Sequence, residues 1–228
     1  MKKHIICLGD SNTHGYCTDI SESADHTNRF NEDERWTCLL QKALGDEYLV
    51  IEEGLGGRTT VFQDPLHESM DALSSVYSIL MSHEPVDLLI IVLGTNDTKD
   101  RFSASPKCIS IGLERLVQKC RAVPCWRISP DGGQAADGAA SGFVNDPKIL
   151  IVCPQPIGRE MLDEGMGVHC AEKSERLSPY YADVAARNGC AFLDAAKCKN
   201  NTIDYMHLSL EGHRMMADLL TAKVRELV

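Results

Sequence analysis

Four short segments hold side chains suited to moving an acyl group: Gly9-Asp10-Ser11-Asn12-Thr13, Gly54-Leu55-Gly56-Gly57-Arg58, Gly94-Thr95-Asn96-Asp97 and Asp204-Tyr205-Met206-His207. A serine hydroxyl is a weak nucleophile at neutral pH. It needs a base within hydrogen-bond reach, and that base must be held in one tautomer by a third group. Ser11 is the candidate nucleophile, His207 the candidate base and Asp204 the third group. On a loop, an aspartate three residues before a histidine can fold back so that its carboxylate accepts Nδ1–H while Nε2 faces the serine. Attack on a carbonyl then develops an oxyanion, which preformed donors must receive. The Ser11 backbone N–H, the Gly57 backbone N–H and the Asn96 side-chain amide are the three candidates. Glycine suits the second position because no Cβ blocks approach to the backbone.

Each residue also has a plainer reading. Ser11 at a strand-to-helix turn is a natural N-cap, Gly57 fits a tight turn, and Asn96 and Asp97 suit caps of a following helix. Taken together the four segments favour chemistry at Ser11 and Asn96, whereas Asp97 reads as structural. Asp10 reads as a brace of the nucleophile loop rather than a triad member. Asn12, Thr13 and His14 follow the serine and are the candidate substrate-binding residues. His213 lies within the last helix, His4 precedes the first strand, and His83 and His169 lack an adjacent acid at triad-like spacing. No clustered ligand set suggests a metal, and no cofactor is expected.

Something must bring residue 11 to residue 207. Apolar, β-branched runs at Ile5–Leu8, Tyr48–Ile51, Leu88–Leu93, Ile149–Val152 and Ala191–Leu193 alternate with helix-spaced patterns. The helical patterns cover Trp36–Leu44, Ser69–Met81, Ile111–Val123 and Pro179–Asn188, and a last helix follows an N-cap at Ser209. Alternation of this kind predicts an α/β fold with a central parallel sheet wound by helices. In such sheets ligands bind outside the carboxyl ends of the strands, which is where the four segments fall.

At 228 residues the chain suits one domain, 1–228. A run rich in glycine and small polar residues at 126–147 reads as a surface insertion, and 154–173, just past the fourth strand, reads as part of the binding wall. The 33 acidic against 23 basic side chains give a charge of -10, which opposes nucleic-acid binding. No run is long enough to serve as a signal peptide or to span a bilayer, so a cytoplasmic location is expected. The ten cysteines are scattered, several within apolar runs (Cys7, Cys38, Cys153, Cys190), and read as buried reduced thiols rather than disulfides.

In these four blocks, in this order, the chain resembles the SGNH hydrolases, or GDSL esterase/lipase superfamily, whose signature residues are Ser, Gly, Asn and His. The resemblance implies a three-layer α/β/α, flavodoxin-like fold. Asn12 stands where the usual motif has leucine, which leaves the nucleophile in place and changes its surroundings. A closer resemblance, through Arg29-Phe30, Arg35-Trp36-Thr37, Val50 to Leu55, Arg58-Thr59-Thr60 and Leu93 to Lys99, is to the arylesterase/acyltransferase (perhydrolase-like) branch. It implies hydrolysis of small-molecule short-chain esters through an acyl-enzyme, acyl transfer to alcohols or peroxide, and a homo-oligomer that narrows the active-site entrance. Two other readings use the same scaffold: a carbohydrate or metabolite O-acetyl esterase, and a binding module without turnover.

Overall fold

The computed structural model describes residues 1–127 and 147–228. Five strands form one sheet: β1 (Lys3–Gly9), β2 (Tyr48–Gly54), β3 (Leu88–Val92), β4 (Ile149–Cys153) and β5 (Ala191–Asp194). They are all parallel, in the order β2-β1-β3-β4-β5. Parallel strands need crossover connections, and helices supply them. These are α1 (Ser11–His14), α2 (Trp36–Leu44), α3 (Ala72–Ser82), α4 (Pro106–Ala122), α5 (Cys170–Glu175), α6 (Leu177–Arg187) and α7 (Leu210–Leu227).

The continuous apolar runs arise because both sheet faces are covered, so successive residues enter opposite cores. Ile6 and Leu8 of β1 join Leu89 and Ile91 of β3 in a core closed by α3, α4 and α6. Ile5 and Cys7 point the other way, with Leu88 and Ile90, into a core closed by α2 and α7 through Trp36, Leu40, Met216 and Leu220. The result is the expected α/β/α sandwich.

Helix boundaries follow capping chemistry more closely than apolar spacing does. The helix expected from Ser69 begins at Ala72, because the Asp71 side chain accepts from Ser74 N at 2.7 Å and starts it there. The helix expected from Ile111 begins at Pro106, where Ser105 caps through Cys108 N and proline occupies the first turn. Ser209 caps α7 as anticipated, accepting from Gly212 N at 3.1 Å. The short helix α5 and two 3-10 turns, Asn96–Thr98 and Asp100–Phe102, were not foreseen. The expected insertion at 126–147 lies, apart from its end residues, outside the described residues.

β1 has β2 on one side and β3 on the other, so the connections leaving the carboxyl ends of β1, toward β2, and of β3, toward β4, diverge. A crevice opens at such a switch point. Ser11 follows β1 and Asn96 follows β3 directly into it.

Candidate active site

Ser11 opens α1, a single turn whose N-cap is Asp10. The Asp10 carboxylate accepts from Asn12 N at 3.0 Å through Oδ1, which fixes the turn as the sequence suggests. Gly54 lets this turn pack directly on the end of β2, since a Cβ there would stand 2.2 Å from His14 N. Across the crevice, Gly57 adopts φ +86°, a left-handed conformation that favours glycine.

The third component arrives from the loop before α7. His207 Nε2 lies 2.8 Å from Ser11 Oγ, and His207 Nδ1 lies 2.8 Å from Asp204 Oδ2. Asp204 folds back as its spacing predicts: its Oδ1 also accepts from Met206 N at 2.8 Å and His207 N at 2.9 Å. The bend places Tyr205 at φ +57°. Burial works to raise the Asp204 pKa, but the bonds and charge of His207, with the Thr18 hydroxyl, outweigh it and hold the carboxyl well below the usual range. The group is therefore an anion facing the imidazole throughout the neutral range.

Asn96 lines the same cleft, and its Nδ2 donates to Arg58 O at 3.2 Å. That bond fixes the amide and uses one of its two hydrogens, leaving the other for a ligand. Arg58 is itself buried and donates to Gly9 O at 3.1 Å and to Glu53 O, tying the ends of β1 and β2 together. Asp97 turns inward, accepting from Thr60 N at 3.0 Å and from the Thr60 hydroxyl, a structural placement as expected.

The cleft, about 570 Å³, is lined by Ser11, Gly56, Gly57, Asn96, Asp204 and His207 together with Tyr16, Thr18, His67, Lys99, Arg101, Asp163, Gly165, Met166 and Met206. The segment 154–173 thus contributes to the wall as anticipated. Asn12, Thr13 and His14 do not, and that expectation is corrected. Asn12 and Thr13 are buried, at 2% and 0% exposure, and Asn12 Oδ1 accepts from Leu208 N at 2.8 Å. After Ser11 the single helical turn directs these two side chains into the protein, where Asn12 links the serine turn to the residue following His207. His14 ends that turn against β2, and its carbonyl accepts from Arg29 Nε at 2.8 Å.

Several wall residues carry no local signal in the sequence. Lys99 and Arg101 both bond to Asp64, whose side chain is wholly buried. The Tyr16 ring lies 4.6 Å from the His207 ring, centroid to centroid, at 52°. The remaining histidines find other uses. His213 is buried, its Nδ1 accepting from Trp36 N at 3.2 Å, and burial pushes its pKa down to about 3. His83 meets Glu53 and His169 meets Asp100, acids too distant in sequence for spacing to reveal. Among the described residues no three His, Cys, Asp or Glu side chains form a group able to hold a metal.

A hydroxyl, an imidazole and a carboxylate in hydrogen-bonded sequence, at the switch point of a parallel sheet, define a class of α/β protein equipped to transfer acyl groups. Comparison with known proteins narrows the class. The chain belongs to the GDSL-like lipase/acylhydrolase family, which matches residues 7–215, and so to the SGNH hydrolases; it is a carboxylic ester hydrolase. A carbohydrate acetylesterase from Sinorhizobium meliloti is 33% identical with a TM-score of 0.83, covering 100% of both chains. The M. smegmatis aryl esterase is 32% identical with a TM-score of 0.82, covering 99% of this chain and 100% of the other. A lipase/acylhydrolase from Enterococcus faecalis, at 15% identity and a TM-score of 0.67, shares the fold, covering 98% of this chain and 96% of its own. No curated protein sequence matches the chain significantly.

Among the described residues no helix is long and apolar enough to cross a membrane. Cys7, Cys120, Cys153 and Cys198 are buried, and burial raises each thiol pKa, while Cys38 and Cys190 are only half-buried.

Proposed function

We propose that this protein is a serine esterase, one domain over 1–228, that hydrolyses short-chain acyl esters, acetyl esters foremost, through an acyl-enzyme on Ser11. The observation that carries this reading is the hydrogen-bonded series Ser11 Oγ, His207 Nε2, His207 Nδ1, Asp204 Oδ2, with 2.8 Å at both imidazole contacts. His207 takes the Ser11 proton as Oγ attacks the ester carbonyl. Asp204 stabilises the imidazolium without accepting its proton. The oxyanion is received by Ser11 N–H, Gly57 N–H and the free hydrogen of the Asn96 amide. Collapse breaks the bond to the alcohol, which leaves with the proton returned by His207. Water, deprotonated by the same imidazole, then releases the acid and restores Ser11. Where an alcohol or peroxide takes the place of water, the same steps give acyl transfer.

The test is turnover of p-nitrophenyl acetate. Ser11→Ala is expected to lower kcat by roughly a thousandfold or more. Turnover at the wild-type rate in that variant would reject the reading.

A second reading, a carbohydrate O-acetyl esterase, has its own support in the polar side chains of the wall. Lys99, Arg101, Asp163 and His67 offer donors and acceptors suited to a hydroxylated alcohol, and one similar structure is a carbohydrate acetylesterase. Comparing kcat/KM for acetylated sugars and aryl acetates separates the two. Leu66, Leu162, Val168 and Ile203 are exposed, and each lies within two residues of a cleft residue in the chain. Exposed apolar side chains at a cleft rim support a homo-oligomer in which a second copy covers them. The buried thiols suit a reducing, cytoplasmic setting.

A further inference from the structure

The segment between α1 and α2 crosses back to the cleft, where Tyr16 and Thr18 reach the acid–base pair. The Thr18 hydroxyl donates to Asp204 Oδ2, the same oxygen that faces His207 Nδ1 at 2.8 Å. Asp204 Oδ1 is held differently. It accepts from Asn201 Nδ2 at 2.9 Å and from two backbone N–H groups, all within residues 201–207. The same Asn201 amide donates to His207 O at 2.9 Å, and its Oδ1 accepts from Ile203 N and Asp204 N at 2.9 Å each, so Asn201 shapes the loop. Among the described residues Thr18 is thus the one hydrogen-bond donor to Asp204 from outside that loop.

We propose that Thr18 is a positioning residue for the acid–base pair, its hydroxyl locking Asp204 Oδ2 toward the imidazole and sharing the charge that the imidazole meets. The inference rests on the triad reading above. Because Asp204 is ionised in the neutral range, the shared hydrogen can come only from Thr18, so the direction of this bond is fixed. Without it Oδ2 would keep the imidazole as its one partner, and the carboxylate would be held only by the contacts of Oδ1 within the loop. More of the negative charge would then rest on the oxygen facing the ring, and the protonated imidazole would be favoured. Thr18 therefore bears on both the geometry and the protonation of the base. Among the described residues the other titratable or charged groups around the pair are Tyr16, whose ring lies against His207, Asp10 next to Ser11, His213 on α7, and His67, Lys99, Arg101 and Asp163 in the cleft wall. All of these stay in place when Thr18 alone is changed.

Thr18→Val removes the hydroxyl and keeps the shape. With p-nitrophenyl acetate, kcat is expected to fall roughly tenfold, the loss of one hydrogen bond to a charged group, with KM within about twofold. The acid limb of the kcat profile is expected to move to higher pH by about half a unit. Thr18→Ser, which restores the hydroxyl, should return both toward wild type. A merely structural role would lower the rate at every pH and leave the limb in place. The proposal is overturned if Thr18→Val keeps the wild-type kcat and profile, or if Thr18→Ser is as impaired as Thr18→Val. Should Thr18→Val fail to fold, Thr18→Ala carries the same expectations. Activity surviving in Ser11→Ala would defeat the triad reading. A wild-type Thr18→Val beside an inactive Ser11→Ala would defeat this inference alone.

Discussion

Asn96 and Asp10 show how differently two polar residues beside the nucleophile act. Asn96 keeps one amide hydrogen on Arg58 O, and in the proposed mechanism the other is for the oxyanion, an interaction that would be made fully only in the transition state. Asn96→Ala is therefore expected to lower kcat by about a hundredfold to a thousandfold with little change in KM, measured on an aryl acetate. Asp10 bears on stability. Burial, against the opposing Asn12 bond and the nearby His207 and Arg58, pushes its pKa up to about 6, whereas an unfolded aspartate titrates near ~4. Between about pH 4 and pH 6 the folded protein keeps a proton the unfolded chain has lost, so this contribution to stability falls as pH rises through the window. Above it, the cost of the buried charge stands at roughly 3 kcal/mol. Asp10→Asn retains the acceptor for Asn12 N and removes the charge. Thermal melts should show the variant matching wild type near pH 4 and exceeding it at pH 7.5, and an equal difference at both would contradict the assignment.

At this scale the sequence was most legible where partners are close along the chain. Asp204 and His207 are three residues apart, and their fold-back follows from that spacing. The directions of Asn12 and Thr13 were not legible, because a strand-to-helix turn fixes which way each side chain leaves it. Thr18 was not legible because its target, Asp204, is distant in the chain and gives the sequence around position 18 no local pattern.

The elements explain why these residues stay where they are. The loop carrying Asp204 and His207 ends on Ser209, whose hydroxyl caps α7 and whose N–H donates to Lys199 O at 3.0 Å. Asn12 holds the same loop from the other side through Leu208 N. Ser209→Ala removes the cap at a cost of about 1 kcal/mol, a fall in Tm of roughly 2–4 °C for a chain of this size. Amide exchange should rise over residues 201–212 and stay unchanged in β3; uniform loosening would argue against a local cap. Strands and long helices were readable from periodicity because two buried sheet faces leave unbroken apolar runs. The starts of α3 and α4 were less so, since a capping Asp71 and a Ser105-Pro106 pair, not the apolar stripe, determine where each begins. The helix α5 is six residues long, too short for a periodic signal.

Taken whole, the molecule places Ser11 and Asn96 just past the neighbouring strands β1 and β3, while the loop before α7 brings His207 to the same edge. The exposed side chains of Leu66, Leu162, Val168 and Ile203 belong to this scale as well. Sedimentation velocity should show a species larger than the 25.1 kDa chain, and Leu162→Asp should shift it toward the monomer. A wild-type monomer across micromolar concentrations would remove the oligomer from the account.

The central claim is that one serine, activated by one imidazole, becomes acylated. A fluorophosphonate probe at neutral pH followed by peptide mapping reads this directly. The account predicts a single adduct on the peptide containing Ser11, formed rapidly in wild type and lost in His207→Ala. Esterase turnover with no adduct on Ser11, or an adduct indifferent to His207, would contradict it.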